Sequence, residues 1–337
     1  MIQMKNRLTF LLLSILFFSA CEKPVENKLG LENLTPDKVE LTSNFKEDFS
    51  NTSSEYFNFR LKTIGDDFRY YSGFPSLSEK NTKVMLFRID PSDVAGSSRG
   101  AEISTKGHSF YGSYSGKLRI PDVTEVQPNV GAIVGLITQD TDSSFGLSEI
   151  RFEWLIANPS IVYIGAKTGV YPKENRIIRV VNLAEGKIYR TSYESVENKK
   201  GGIIETKYKG DFSGDQNYPQ NISAIENFDA SKKFHQYGFD WYPDRIVWWI
   251  LDEKTQEKLI LWDYKATEIF AGEPAPSGIP VVPSRLRMNF WHSKIRPVQL
   301  NPSSIETPRY PYELEADWIS YEPFTEMNEE WYDKQFK

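Results

Sequence analysis

The sequence predicts an all-β protein, an antiparallel β-sandwich, on three observations. Segments of five to ten residues, β-branched or aromatic and alternating in polarity, are separated by Gly, Pro, Asn and Asp. Aromatic residues make up 14% of the chain, with 8 Trp, 18 Tyr and 21 Phe, and such rings favour pleated surfaces. No window of 15 residues offers an apolar stripe at helical spacing between caps.

Taken in order, residues 1–20 have the form of a signal peptide. Lys5 and Arg7 precede the apolar run Leu8–Phe18, which is too short to cross a hydrocarbon layer of about 30 Å. Ser19, Ala20 and the single cysteine, Cys21, follow. The run Phe18–Cys21 resembles a bacterial lipobox, which implies a lipidated Cys21, export, and a lipid-anchored place in the bacterial cell envelope; an ordinary cleaved signal with an incidental cysteine is the alternative. Acyl chains hold a protein at a membrane through about 0.8 kcal/mol per buried methylene. Residues 21–45 carry Pro24, Pro36 and mixed charge with few aromatics, the composition of a flexible tether.

Residues 46–326 read as one β domain, and 327–337 as a C-terminal tail. Strands are expected at Lys83–Asp90, Gly112–Pro121, Val130–Thr138, Ser148–Leu155, Ser160–Lys167 and Arg176–Leu183. The clearest hairpin is Phe234–Trp241, a turn at Tyr242-Pro243-Asp244, and Arg245–Leu251. Tyr237, Phe239 and Trp241 share one of its faces. The stretches Tyr193–Ser223 and Glu268–Pro283, rich in Lys, Gly and Pro, read as loops.

Forty Lys and Arg against 46 Asp and Glu give a net charge of −6, which excludes a nucleic-acid partner held through a basic face. One cysteine excludes an intrachain disulfide and any multi-cysteine zinc site. His108, His235 and His292 are too scattered for a metal site or a proton relay, so no metal and no cofactor is expected.

The chemistry centres on Ser148–Leu155. On a strand, Glu149, Arg151 and Glu153 project from one face, and Ile150, Phe152 and Trp154 from the other. Paired carboxylates on one surface suit glycoside hydrolysis, provided they lean together over residue 151. The same pattern also suits a salt-bridged solvated face.

This stretch resembles the Glu-Ile-Asp-Phe/Ile-Glu-Phe-Leu signature of glycoside hydrolase family 16, which contains lichenases and laminarinases. Further matches follow in order. Gly100–Ser104 with Tyr111–Tyr114 and Leu118–Pro121 resemble the family's opening strands, and Phe228–Ala230 with Phe234–Trp241 the run before its hairpin. Arg287–Trp291 resembles its Met-Asn-Leu-Trp strand, and Ala316–Tyr321 its closing Asp-Trp-Val strand. The resemblance covers residues 46–326. It implies a concanavalin-like jelly roll of two antiparallel sheets, with a sugar cleft across the concave one.

Carried over by position, Glu149 is the nucleophile and Glu153 the general acid/base. Arg151 replaces the family's Asp, and a guanidinium favours ionised carboxylates where an acid must keep its proton. Leu147, Gly165 and Lys167 stand where lichenases carry Trp, Asn and Tyr. Glu102 and Asn289 are candidate partners for sugar hydroxyls, and Trp291 a stacking platform or sheet packing. Tyr111, Trp154 and Trp241 are weaker aromatic candidates, and of Trp248 and Trp249 at most one reaches a cleft.

The expected function is therefore a retaining endo-glycoside hydrolase acting on an extracellular β-linked glucan or galactan. The alternative is a glycan-binding or cell-envelope lipoprotein without catalysis, its acid site disabled by Arg151. A lectin-like scaffold with no glycan ligand is a third class.

Overall fold

A computed structural model describes residues 39–59, 70–91, 100–140, 147–169, 173–199, 203–211, 214, 216, 218–267, 269–270, 273–274, 278–292 and 306–336. The signal peptide, Cys21 and residues 22–38 lie outside them. The described chain runs β1 (Phe45–Glu47), β2 (Phe57–Asn58), β3 (Tyr70–Pro75), β4 (Lys83–Ile89), β5 (Gly100–Thr105), β6 (Gly112–Arg119), β7 (Ala132–Asp140), β8 (Leu147–Leu155), β9 (Ile161–Gly169) and β10 (Lys173–Asn182). It continues through β11 (Lys187–Lys199), β12 (Ile203–Asp211), β13 (His235–Trp241), β14 (Arg245–Leu251), β15 (Lys258–Lys265), β16 (Ile269–Phe270), β17 (Glu273–Pro274), β18 (Arg285–His292) and β19 (Tyr312–Pro323), then helix α1 (Thr325–Phe336).

Two large antiparallel sheets result, with β16 and β17 pairing as a separate two-stranded one. One has eight strands in the order β15-β14-β13-β6-β19-β4-β3, with β1 also paired to β19; the other has nine, β12-β11-β10-β9-β8-β7-β18-β5-β2. This is the jelly-roll sandwich expected from the sequence. Alternation fills the space between the layers. Ile150, Phe152 and Trp154 of β8 are fully buried, and Trp154 and Phe152 meet Tyr237 of β13 at 4.4 and 5.4 Å between ring centroids. Tyr237, Phe239 and Trp241 point inward from the opposite sheet and are fully buried. Burial of each such side chain contributes about 1.5–3 kcal/mol. The hairpin closes through Tyr242 N–H to Arg245 O at 2.9 Å, with the Arg245 guanidinium 4.7 Å over the Tyr242 ring.

Several expectations are corrected, including short strands β16 and β17 within Glu268–Pro283, also read as a loop. Within Tyr193–Ser223, read as a loop, strands β11 and β12 pair from Ser192 opposite Asp211 to Lys199 opposite Ile203. The physical reason is legible afterwards: Gly201-Gly202 separates two runs containing β-branched and aromatic residues, a hairpin signal that the lysines masked. The C-terminal tail is helix α1. Asn328 Nδ2 donates to Tyr111 O at 3.0 Å, and Trp331 packs edge-on to Phe110 at 4.8 Å. A few anchoring residues, Tyr332 among them, hold the helix down without a full apolar stripe, so helical spacing gave no warning. The last residues read as tether also touch the domain: Thr42 N–H donates to His108 O, and Val39 O accepts from Tyr332 Oη.

Glu315 on β19 is fully buried and accepts from Arg119 Nη2 (2.7 Å), Ser76 Oγ (2.6 Å), Leu77 N–H (3.1 Å) and Ser78 Oγ (3.2 Å). One carboxylate thus ties the turn after β3 to the sheet. Glu315→Gln keeps the shape but loses the charge, and is expected to lower stability by about 2 kcal/mol. Urea unfolding followed by tryptophan fluorescence checks this, with a lower midpoint at unchanged slope.

Candidate active site

Because Ile150, Phe152 and Trp154 face the core, Glu149, Arg151 and Glu153 must face away from it. Register sets their neighbours. Opposite them, β7 places Gln139, Ile137 and Gly135, and β9 places Lys167, Gly165 and Tyr163. On β18, Arg287 stands beside Ile137 and Asn289 beside Gly135, and β5 brings Glu102 next to Asn289. The sheet therefore gathers Glu149, Arg151, Glu153, Asn289 and Glu102 on one surface, from segments up to 187 residues apart.

Arg151 joins the two glutamates. Its Nη1 donates to Glu153 Oε2 at 3.2 Å and its Nη2 to Glu149 Oε1. The carboxylates do lean together over residue 151, with the guanidinium between them. Lys167 Nζ lies 3.3 Å from the same Glu149 oxygen, and Gln139 Nε2 donates to the other at 2.9 Å. Glu149 is only 4% exposed, while the Glu153 side chain is 13% exposed. The expectation that both acids protrude is corrected for Glu149, which is nearly buried among three donor side chains. A buried carboxylate needs such partners, since an unpaired one loses its hydration without compensation. From the other layer, Trp248 Nε1 donates to Arg151 O at 3.0 Å.

Burial pushes the Lys167 ammonium down to about 7, and the positive charges of Arg151 and Arg176 add to this; Glu153 and Glu174 oppose it. It is the cation of this surface whose charge changes near neutrality.

Both oxygens of Glu102 are engaged, Oε1 by Arg287 Nη1 at 2.9 Å and Oε2 by Asn289 Nδ2 at 3.3 Å. The Asn289 carboxamide is thereby turned so that its oxygen is the free end, buried and without a protein partner. It lies over Gly135, where a Cβ would come within 2.6 Å of that oxygen, so only glycine leaves room for it. Trp291 is half-buried against a small apolar cluster with Ile133, Leu155 and Tyr163.

The weaker aromatic candidates lie elsewhere. Trp154 and Trp241 are fully buried between the layers, and Tyr111 is stacked on Phe110 at 3.9 Å. Trp248 points inward, and Trp249 is covered on the opposite sheet by Lys258 at 4.2 Å, so neither reaches the glutamates. Among the described residues no three His, Cys, Asp or Glu side chains gather as metal ligands. Gln139 and Arg287 are the partners that sequence reasoning missed. Their signal was parity on β7 and β18 once the strands are set in register.

Comparison with known proteins places these features. The profile described as Glycosyl hydrolases family 16 matches residues 193–318, a span that holds Asn289 and Trp291 but not the glutamate pair. A β-glucanase of Acetivibrio thermocellus is 30% identical over 116 residues, 34% of this chain and 27% of that protein. One of Paenibacillus macerans is 26% identical over 141 residues, 40% of this chain and 49% of that protein. The chain thus matches about half or less of the length of these relatives. Among solved structures, a β-1,3-1,4-glucanase (lichenase) from a mouse hindgut metagenome superposes with a TM-score of 0.48 at 17% identity, covering 84% of this chain and 100% of that one. A laminarinase catalytic domain from Thermotoga petrophila gives 0.47 at 14% identity, covering 85% and 100%. The part of this chain from β11 into β19 is thus similar to glycosyl hydrolases family 16, inside a sandwich of two large antiparallel sheets.

Proposed function

We propose that this protein is an exported lipoprotein, held to a membrane through Cys21, that engages an extracellular β-linked glucan or galactan at the Glu149–Glu153 face. In this reading Glu149 is the nucleophile and Glu153 the acid/base of a retaining endo-hydrolase, and Arg151 holds their turnover low. The observation that carries it is the convergence of two carboxylates from one strand on a single guanidinium. Carboxylates drawn that close suit double displacement better than the wider spacing an inverting enzyme needs to admit water.

Arg151 also sets the limit on that chemistry. To act as an acid Glu153 must take up a proton, and doing so forfeits its ion pair with Arg151. The guanidinium further occupies the space between the carboxylates, where a glycosidic oxygen has to sit. Those two facts favour a second reading, glycan binding without cleavage, in which Asn289 Oδ1 accepts a sugar hydroxyl and Trp291 lies along a pyranose ring.

Reducing-sugar release from a panel of β-glucans and galactans separates the readings. Slow release, abolished in Glu149→Gln and Glu153→Gln, supports the hydrolase. Retarded migration in glycan-containing gels without release supports the binding reading, and neither signal removes both. Incorporation of labelled fatty acid, lost in Cys21→Ser, tests the anchor.

A further inference from the structure

Gln139, Glu149, Lys167, Arg176 and Glu194 stand opposite one another on five neighbouring strands, β7 to β11. Lys167 and Arg176 are therefore like charges placed directly across a strand pair, an arrangement that ordinarily destabilises a sheet. Arg176 resolves its share by turning to Glu174 at 3.1 Å and Glu194 at 3.6 Å. Lys167 turns the other way, to Glu149 at 3.3 Å, with its side chain 25% exposed.

We propose that Lys167 is a positioning residue for Glu149, a second cation on the oxygen that Arg151 already holds, so that freeing this carboxylate requires removing or neutralising both. The consequence for turnover rests on the hydrolase reading above; the ion pair itself does not. The charged groups that face Lys167 among the described residues are Glu149, Arg151 and Glu153 on β8, Glu174 and Arg176 on β10, and, through Arg176, Glu194 on β11. Below neutrality Lys167 is charged and Glu149 has two cations; above it the amine is neutral and Arg151 is the cation that remains on Glu149.

The same proton sets a stability profile. The lowered Lys167 value means that the folded chain binds fewer protons than the unfolded one between about 7 and the ordinary lysine value of 10.5. Stability from this group therefore rises with pH across that window, and the cost of its buried charge is present in full below it.

The experiment uses the full chain with its lysines reductively methylated with carbon-13, the Lys167 signal being the one missing from Lys167→Met. The signal is expected to titrate near neutrality in the wild type, to move up by about one unit or more in Arg151→Ala as a repelling charge is lost, and to move down in Glu149→Gln as an attracting one is lost. A midpoint indifferent to Glu149→Gln overturns the proposal. In a hydrolysis assay at pH 6, Arg151→Asp combined with Lys167→Met is expected to exceed Arg151→Asp about tenfold in kcat. An equal kcat, with both variants folded by circular dichroism, also overturns it. If the titrations behave as expected and no variant releases sugar, the Lys167–Glu149 pairing stands and the hydrolase reading fails.

Discussion

Arg151→Asp is expected to raise reducing-sugar release from β-glucan or β-galactan by about 10²–10³-fold over the wild type, within the range of about 10²–10⁴ that a working general acid commonly contributes. The substitution removes the guanidinium that donates to both glutamates and places between them a carboxylate, the group the family carries there. Glu153 then takes up a proton without giving up an ion pair, since a neighbouring negative charge favours the neutral acid. It also clears the space between the two side chains. Lys167 remains beside Glu149, so the gain in this variant is only part of what the site can deliver. Initial rates on a substrate panel, with Arg151→Asp/Glu149→Gln and Arg151→Asp/Glu153→Gln as inactive controls, measure the effect. An active wild type that loses activity in Arg151→Asp contradicts the electrostatic argument outright, because Arg151 would then assist the reaction.

Trp154→Ala carries the largest expected loss of stability, about 3–5 kcal/mol. The Trp154 side chain is fully buried, stacked on Phe152 at 4.7 Å and edge-on to Tyr237 at 4.4 Å. It is thus a contact between the site strand and the opposite layer, and truncation leaves a cavity that neither sheet can close without losing register. A fall in thermal midpoint under calorimetry, with the glutamates unmutated, is the measurement. A loss below about 1 kcal/mol shows that the layers collapse onto the gap. Because Trp154 lies on the core side, this variant separates loss of fold from loss of chemistry, which Arg151→Asp changes with little effect on packing.

Much of the sandwich was legible because strand chemistry is local. Alternation in Ser148–Leu155 and Phe234–Leu251 assigns each side chain a face before any partner is known, and β8, β13 and β14 have the expected faces buried. The core role of Trp154 followed from parity alone. The expected lean of Glu149 and Glu153 toward residue 151 is present, with Arg151 joining them through its two terminal nitrogens.

What escaped was set across strands. Gln139 and Lys167 reach Glu149 only through the registers of β7 and β9, and Arg287 reaches Glu102 across 185 residues of chain. One sequence does not state which residue of one strand lies beside which of another. Glu102, a candidate partner for a sugar hydroxyl, is engaged on both oxygens, because Arg287, four residues before Trp291 on its strand, shares its face. Helix α1 escaped for a different reason: Asn328, Trp331 and Tyr332 fasten it through side-chain hydrogen bonds and a ring contact, too few positions to leave a periodic trace.

The indole of Trp248 holds the carbonyl of residue 151 from across the core. That anchor acts on the main chain and is indifferent to which side chain residue 151 carries. Position 151 therefore behaves as a socket in a rigid frame, and its occupant can be exchanged while the socket stays where it is.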